Sequence, residues 1–140
     1  IAYGNLIHEM LSKITTANAV ERVVAQYLNQ GFISNDDSEE IKEKLNTIVN
    51  HPKLKHFYSN EVTVFNEREI ATKDNQIIIP DRLVFNANNE AIIIDYKTGK
   101  PSKSYHQQLQ QYEDVLTSMK IKVIQKLLIY INQEINLEEI

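Results

Sequence analysis

A chain of 140 residues, 42% of them hydrophobic, is long enough to bury a core and suits one domain spanning 1–140. It contains no cysteine, which excludes disulfides, thiol nucleophiles, zinc ribbons and cysteine-held iron–sulfur clusters, so any metal must rest on oxygen or nitrogen ligands. The formal charge of -4 argues against tight, purely electrostatic binding to nucleic acid, because such binding scales with the phosphates neutralised. No apolar run approaches the roughly 20 residues of a membrane span, and no secretory leader is recognisable. The first residue is Ile1 and not methionine, and a chemically loaded segment follows almost at once, which suggests a piece of a longer polypeptide.

In chain order, "GNLIHEMLSKI" (4–14) and "NAVERVVAQYLNQG" (18–31) carry helical apolar spacing, with Gly31 as a natural stop. "DDSEEIKEKLNTIVN" (36–50) predicts a helix capped by Asp37, with Ile41, Leu45, Ile48 and Val49 on one face and Pro52 closing it. Strand signals follow in "EVTVF" (61–65), "REIAT" (68–72), "QIIIPDRLVF" (76–85) and "AIIIDYK" (91–97), separated by short polar turns that favour antiparallel neighbours. "SYHQQLQQYEDVLTSMK" (104–120) aligns Tyr105, Leu109, Tyr112, Leu116 and Met119 on one helical stripe. "VIQKLLIYI" (123–131) is a strong last strand and "EINLEEI" (134–140) a weaker, edge-like continuation. The expected architecture is α+β, a mixed, mostly antiparallel sheet flanked by helices.

Two of these strands carry charge where apolar residues belong. Pro80 and Asp81 follow three isoleucines, Asp95 follows three more, and Lys97 comes two residues later on the same face of its strand, with Tyr96 pointing away. Antiparallel pairing brings Asp81 and Asp95 to neighbouring strands. Two carboxylates held together repel unless one takes up a proton or a cation intervenes, and hard oxygen ligands at this density suit Mg2+ or Mn2+. A lysine beside a metal-held phosphodiester can orient the attacking water and offset developing charge. The bland alternative is a solvated "KTGKP" turn with no chemistry. Three features weigh against it. His8 lies four residues after Gly4 on one helical face, where an imidazole adds a nitrogen ligand; Gln108 and Tyr112 stand in the same relation on the later helix; and Lys100 and Lys103 extend a small basic mouth around Gly99.

Taken together, "GNLIH", "IIIPDRLVF", "IDYKTG" and "QLQQY" resemble the RecB-like nuclease domains of the PD-(D/E)XK superfamily, found at the ends of bacterial helicase–nuclease subunits. The resemblance implies a restriction-endonuclease-like core, Mg2+-dependent hydrolysis of DNA with Mn2+ as a substitute, and recombinational repair in the bacterial cytoplasm at the nucleoid. It also implies a helicase region in the same chain, with a partner subunit. His8, Asp81, Asp95 and the Tyr96 carbonyl inherit metal binding, Lys97 inherits the catalytic role, and Gln108, Tyr112, Lys100 and Lys103 inherit DNA contacts. An additional acidic ligand is to be sought among Glu61, Glu67 and Glu69, with Glu61 preferred. The iron–sulfur variant of the group is ruled out by the lack of cysteine. Rival functions are a catalytically silent DNA- or partner-binding module, and a restriction or junction-cleaving endonuclease of the same superfamily.

Overall fold

Helix-forming sequence fills the first half of the chain and strand-forming sequence most of the second. The computed structural model describes residues 3–140, and these divide after Glu61 into two compact units, 3–61 and 62–140. The first holds α1 (Tyr3–Leu11), α2 (Val20–Asn29) and α3 (Asn35–Val49), with short 3-10 turns at Ala17–Ala19 and Lys55–Tyr58. Its helices bury one stripe each, including Ile7 and Met10 from α1, Val23 from α2, and Ile41, Leu45 and Ile48 from α3. The Tyr27 hydroxyl of α2 donates to Glu9 Oε1 of α1 at 2.7 Å.

Helix ends follow the local chemistry. Gly31 takes φ +79, the Phe32 N–H donates to the Tyr27 carbonyl at 2.9 Å, and the Gly31 N–H donates to the Leu28 carbonyl at 3.1 Å. With the Tyr27 and Phe32 rings 5.7 Å apart, this is a Schellman ending complete with its apolar contact. At the start of α3 the cap is Ser34 and not Asp37: the Ser34 hydroxyl accepts the Asp37 N–H at 3.2 Å. Asp36 and Asp37 lie inside the first turn, where their charge favours the positive end of the helix dipole.

The second unit is built on a mixed sheet of five strands in the order β1-β4-β5-β6-β7. These are β1 (Thr63–Asn66), β4 (Arg82–Phe85), β5 (Ala91–Lys97), β6 (Val123–Ile131) and β7 (Ile135–Glu139). Neighbours are antiparallel except β5 and β6, which run parallel and therefore need a crossover. Helix α4 (Lys103–Ser118) supplies it. One face of the sheet, through Leu83, Ala91, Ile93 and Leu128, packs on Leu109, Tyr112, Val115 and Leu116 of α4.

The sequence predicts one sheet containing 68–72 and an unbroken strand 76–85, and here the structure differs. Residues 68–72 form only β2 (Ile70–Ala71), and 76–85 splits into β3 (Ile77–Ile78) and β4; β2 and β3 pair with each other in a separate two-stranded sheet. The break falls at Ile79–Asp81, before β4 begins at Arg82. Pro80 has no N–H to give a ladder and restricts the residue before it, so the isoleucine run cannot continue as one central strand.

Leu109 is fully buried between α4 and the sheet. Leu109→Ala is expected to destabilise the protein by about 2–5 kcal/mol, read from the midpoint of urea unfolding.

Candidate metal centre

The interruption at Pro80 creates the site. Arg82 pairs with Ile94 in the antiparallel ladder, so the next opposed residues are Asp81 and Asp95, and there side chains take the place of backbone acceptors. The Asp81 N–H donates to Asp95 Oδ1 at 2.9 Å, and the Tyr96 N–H donates to Asp81 Oδ2 at 2.9 Å. Each carboxylate is thus aimed by the backbone of the other's strand. Asp95 is 1% exposed, on the face of β5 shared with Ala91 and Ile93, which is the α4 face.

Glu67 joins this pair. It follows the last residue of β1, its N–H donates to the Asp81 carbonyl at 3.0 Å, and it takes φ +49, a left-handed backbone that costs a non-glycine residue about 1 kcal/mol. A carboxylate oxygen of Glu67 lies within 4.8 Å of one of Asp81. Of the three glutamates weighed in the sequence, Glu61 stands instead 3.5 Å from His56. The missing signal was register: Asn66 pairs with Arg82, which sets Glu67 opposite Asp81.

Lys97 ends β5 on the same face as Asp95. Its Nζ donates to Gln108 Oε1 at 2.6 Å, lies 3.6 Å from Asp95 Oδ2 and sits 4.9 Å from the centre of the Tyr105 ring. Gln108 and Tyr105 share one face of α4, whose start is set by Ser102, the hydroxyl of which accepts the Ser104 N–H at 3.2 Å. Tyr112, one turn beyond Gln108, is buried, and its hydroxyl donates to the Ile79 carbonyl at 3.4 Å. Burial, then the negative charge of Asp95 and of Asp81, pushes the Tyr112 phenol well above its ordinary value, so it remains a protonated donor at neutral pH.

Lys100 and Lys103 are exposed, the first in the turn after β5 and the second at the start of α4. That turn has an anchor the sequence reading did not find. Gly99, at φ +81, gives its N–H to Asn132 Oδ1 at 2.9 Å and receives Asn132 Nδ2 on its carbonyl at 3.0 Å. Nothing local to Asn132 marks it; only the parallel pairing of β5 with β6 brings it there. In the first unit, His8 lies half-buried in the last turn of α1.

The donor set fits a hard divalent cation. Glu67, Asp81 and Asp95 offer carboxylate oxygens, and two bonds of about 2.1 Å to one Mg2+ span at most about 4.2 Å. The separation of Glu67 from Asp81, within 4.8 Å, needs only a small side-chain adjustment to meet that limit. Sulfur ligation is excluded, since the chain has no cysteine.

No curated protein matches the chain. Among solved structures, the crystal structure of SSO0001 is similar at 17% sequence identity and a TM-score of 0.39, over 94% of this chain and 65% of that one. The chain thus spans 65% of the length of that structure. A family match covers residues 1–137 and is described as the PD-(D/E)XK nuclease superfamily. Pro80 and Asp81 at the strand break, with Asp95 and Lys97 on the adjacent strand, follow the order that this name spells, and the chain belongs to the PD-(D/E)XK nuclease superfamily.

Proposed function

We propose that the chain is a Mg2+-dependent deoxyribonuclease, with Mn2+ as a working substitute, that degrades single strands or unwound duplex from an end. In this proposal it is the RecB-like nuclease part of a longer helicase–nuclease acting in recombinational repair in the bacterial cytoplasm. The observation that supports the reading is the pair of reciprocal bonds at 2.9 Å by which Asp81 and Asp95 are each tied to the backbone of the other's strand, with Lys97 two residues on. Burying a carboxylate as deeply as Asp95, with a second carboxylate tied to its strand, is costly even with the Lys97 ammonium 3.6 Å away. A silent binding module has no need of that expense.

Asp81, Asp95 and Glu67 would hold the cation, with the Tyr96 carbonyl and the His8 imidazole completing its shell; His8 is included on the strength of the "GNLIH" spacing. When bound, the cation supplies Lewis-acid polarisation of the phosphate and a lowered pKa for water. Lys97 orients the attacking water and offsets the charge that develops on the phosphoryl oxygens. Gln108 fixes the lysine head from the opposite side at 2.6 Å. Tyr112 contributes a neutral phenol, and Lys100 and Lys103 meet flanking phosphates, contributing a salt-dependent part of affinity.

Lys97→Ala is expected to lower DNA cleavage by about 100-fold or more, while Mn2+ binding by calorimetry and the thermal midpoint stay near the parent's. Asp95→Asn keeps an oxygen to accept the Asp81 N–H and removes the charge, so the protein should fold, lose Mn2+ binding and lose cleavage. Full metal-dependent activity in the Lys97→Ala protein would defeat the catalytic assignment, and an absence of Mn2+ binding in the parent would favour the silent module. Glu67→Gln and His8→Ala should each weaken Mn2+ binding by about tenfold or more; parent-like affinity in either removes that residue from the shell. An end-dependent enzyme degrades linear DNA and leaves covalently closed circles intact, and nicking of circles would favour the restriction or junction-cleaving alternative.

A further inference from the structure

Tyr105 belongs to the apolar stripe of α4, and its ring does pack beside the core, 6.4 Å from the ring of Tyr130. Its other neighbour is the ammonium of Lys97, 4.9 Å from the ring centre. The rest of the lysine's surroundings pull in two directions. Asp95, a carboxylate on the same strand face, attracts it; a closed ion pair would bring Nζ to about 2.7–2.9 Å from a carboxylate oxygen. The observed separation is 3.6 Å, whereas the neutral Gln108 oxygen is at 2.6 Å.

A flexible four-carbon stem does not hold its head short of a carboxylate unaided. The face of an aromatic ring attracts a cation through its quadrupole and does so more strongly where water is excluded. Lys97 is 17% exposed, which places the contact in that regime.

We propose that Tyr105 is a positioning residue for Lys97: its ring face, together with the Gln108 oxygen, holds the ammonium off Asp95, so that the pair does not close and the carboxylate keeps its orientation toward a cation. The consequence for turnover rests on the nuclease role given to Lys97 above, but the placement itself is a property of the metal-free protein.

The test replaces the ring in steps: Tyr105→Phe keeps the π face, trifluorophenylalanine at the same position keeps the shape and weakens the quadrupole, and Tyr105→Leu removes the ring. In the metal-free parent and in Tyr105→Phe, the Lys97 ε-protons, on the carbon bonded to the Nζ that lies over the ring, should resonate upfield, and this displacement should vanish in Tyr105→Leu. In steady-state cleavage with Mn2+, Tyr105→Phe should stay within about twofold of the parent, while the fluorinated and Leu variants fall about 3- to 30-fold in kcat with KM for DNA unchanged. A shared kcat across all of them, or ε-protons without upfield displacement in the parent, overturns the proposal. If the parent cleaves no DNA, the nuclease reading is lost and the ring-current comparison decides this one alone.

Discussion

The site depends on a substitution of one hydrogen-bond acceptor for another. Where β4 and β5 would exchange backbone bonds at Asp81 and Asp95, each strand's N–H is taken by a carboxylate of its neighbour. The two acidic side chains are therefore held by the sheet itself and not by flexible loops, which is the condition for presenting ligands to a cation without reorganisation. Pro80 makes this possible by ending the ladder one residue earlier. The three isoleucines on each side supply the buried framework, and the polar exchange occurs only at their ends.

A second layer fixes the lysine. Helix α4 crosses from β5 to the parallel β6 and lays Tyr105, Gln108, Leu109 and Tyr112 along the sheet. Leu109 anchors the helix, Gln108 and Tyr105 face the ammonium, and the Tyr112 hydroxyl reaches the Ile79 carbonyl just ahead of the proline. The one helix thus touches both halves of the motif.

How far the sequence reveals this depends on the range of the interaction. Periodicity located the helices and the strands around Asp95 and Lys97, because burial on one face repeats at 3.6 or 2 residues. Motif order identified Asp81, Asp95 and Lys97 as candidates. Local composition misled at Ile77–Asp81, where β-branched residues read as a continuous strand and the single proline outweighs them. It also misplaced the α3 cap, since Ser34 and Asp37 are both good caps and only backbone geometry separates them. Glu67 and Asn132 were harder still. Their roles arise from strand register and from a parallel pairing across 33 residues, neither of which leaves a trace in neighbouring residues.

The tie between Asn132 and Gly99 alters what counts as part of the motif. The turn carrying Lys100 hangs between the end of β5 and an amide on the far hairpin, held by bonds of 2.9 and 3.0 Å. The closing strands contribute no side chain to the acidic cluster, yet they act as the hinge pin of its basic rim. Anyone trimming such a domain to its named motif residues would leave that rim attached by one end.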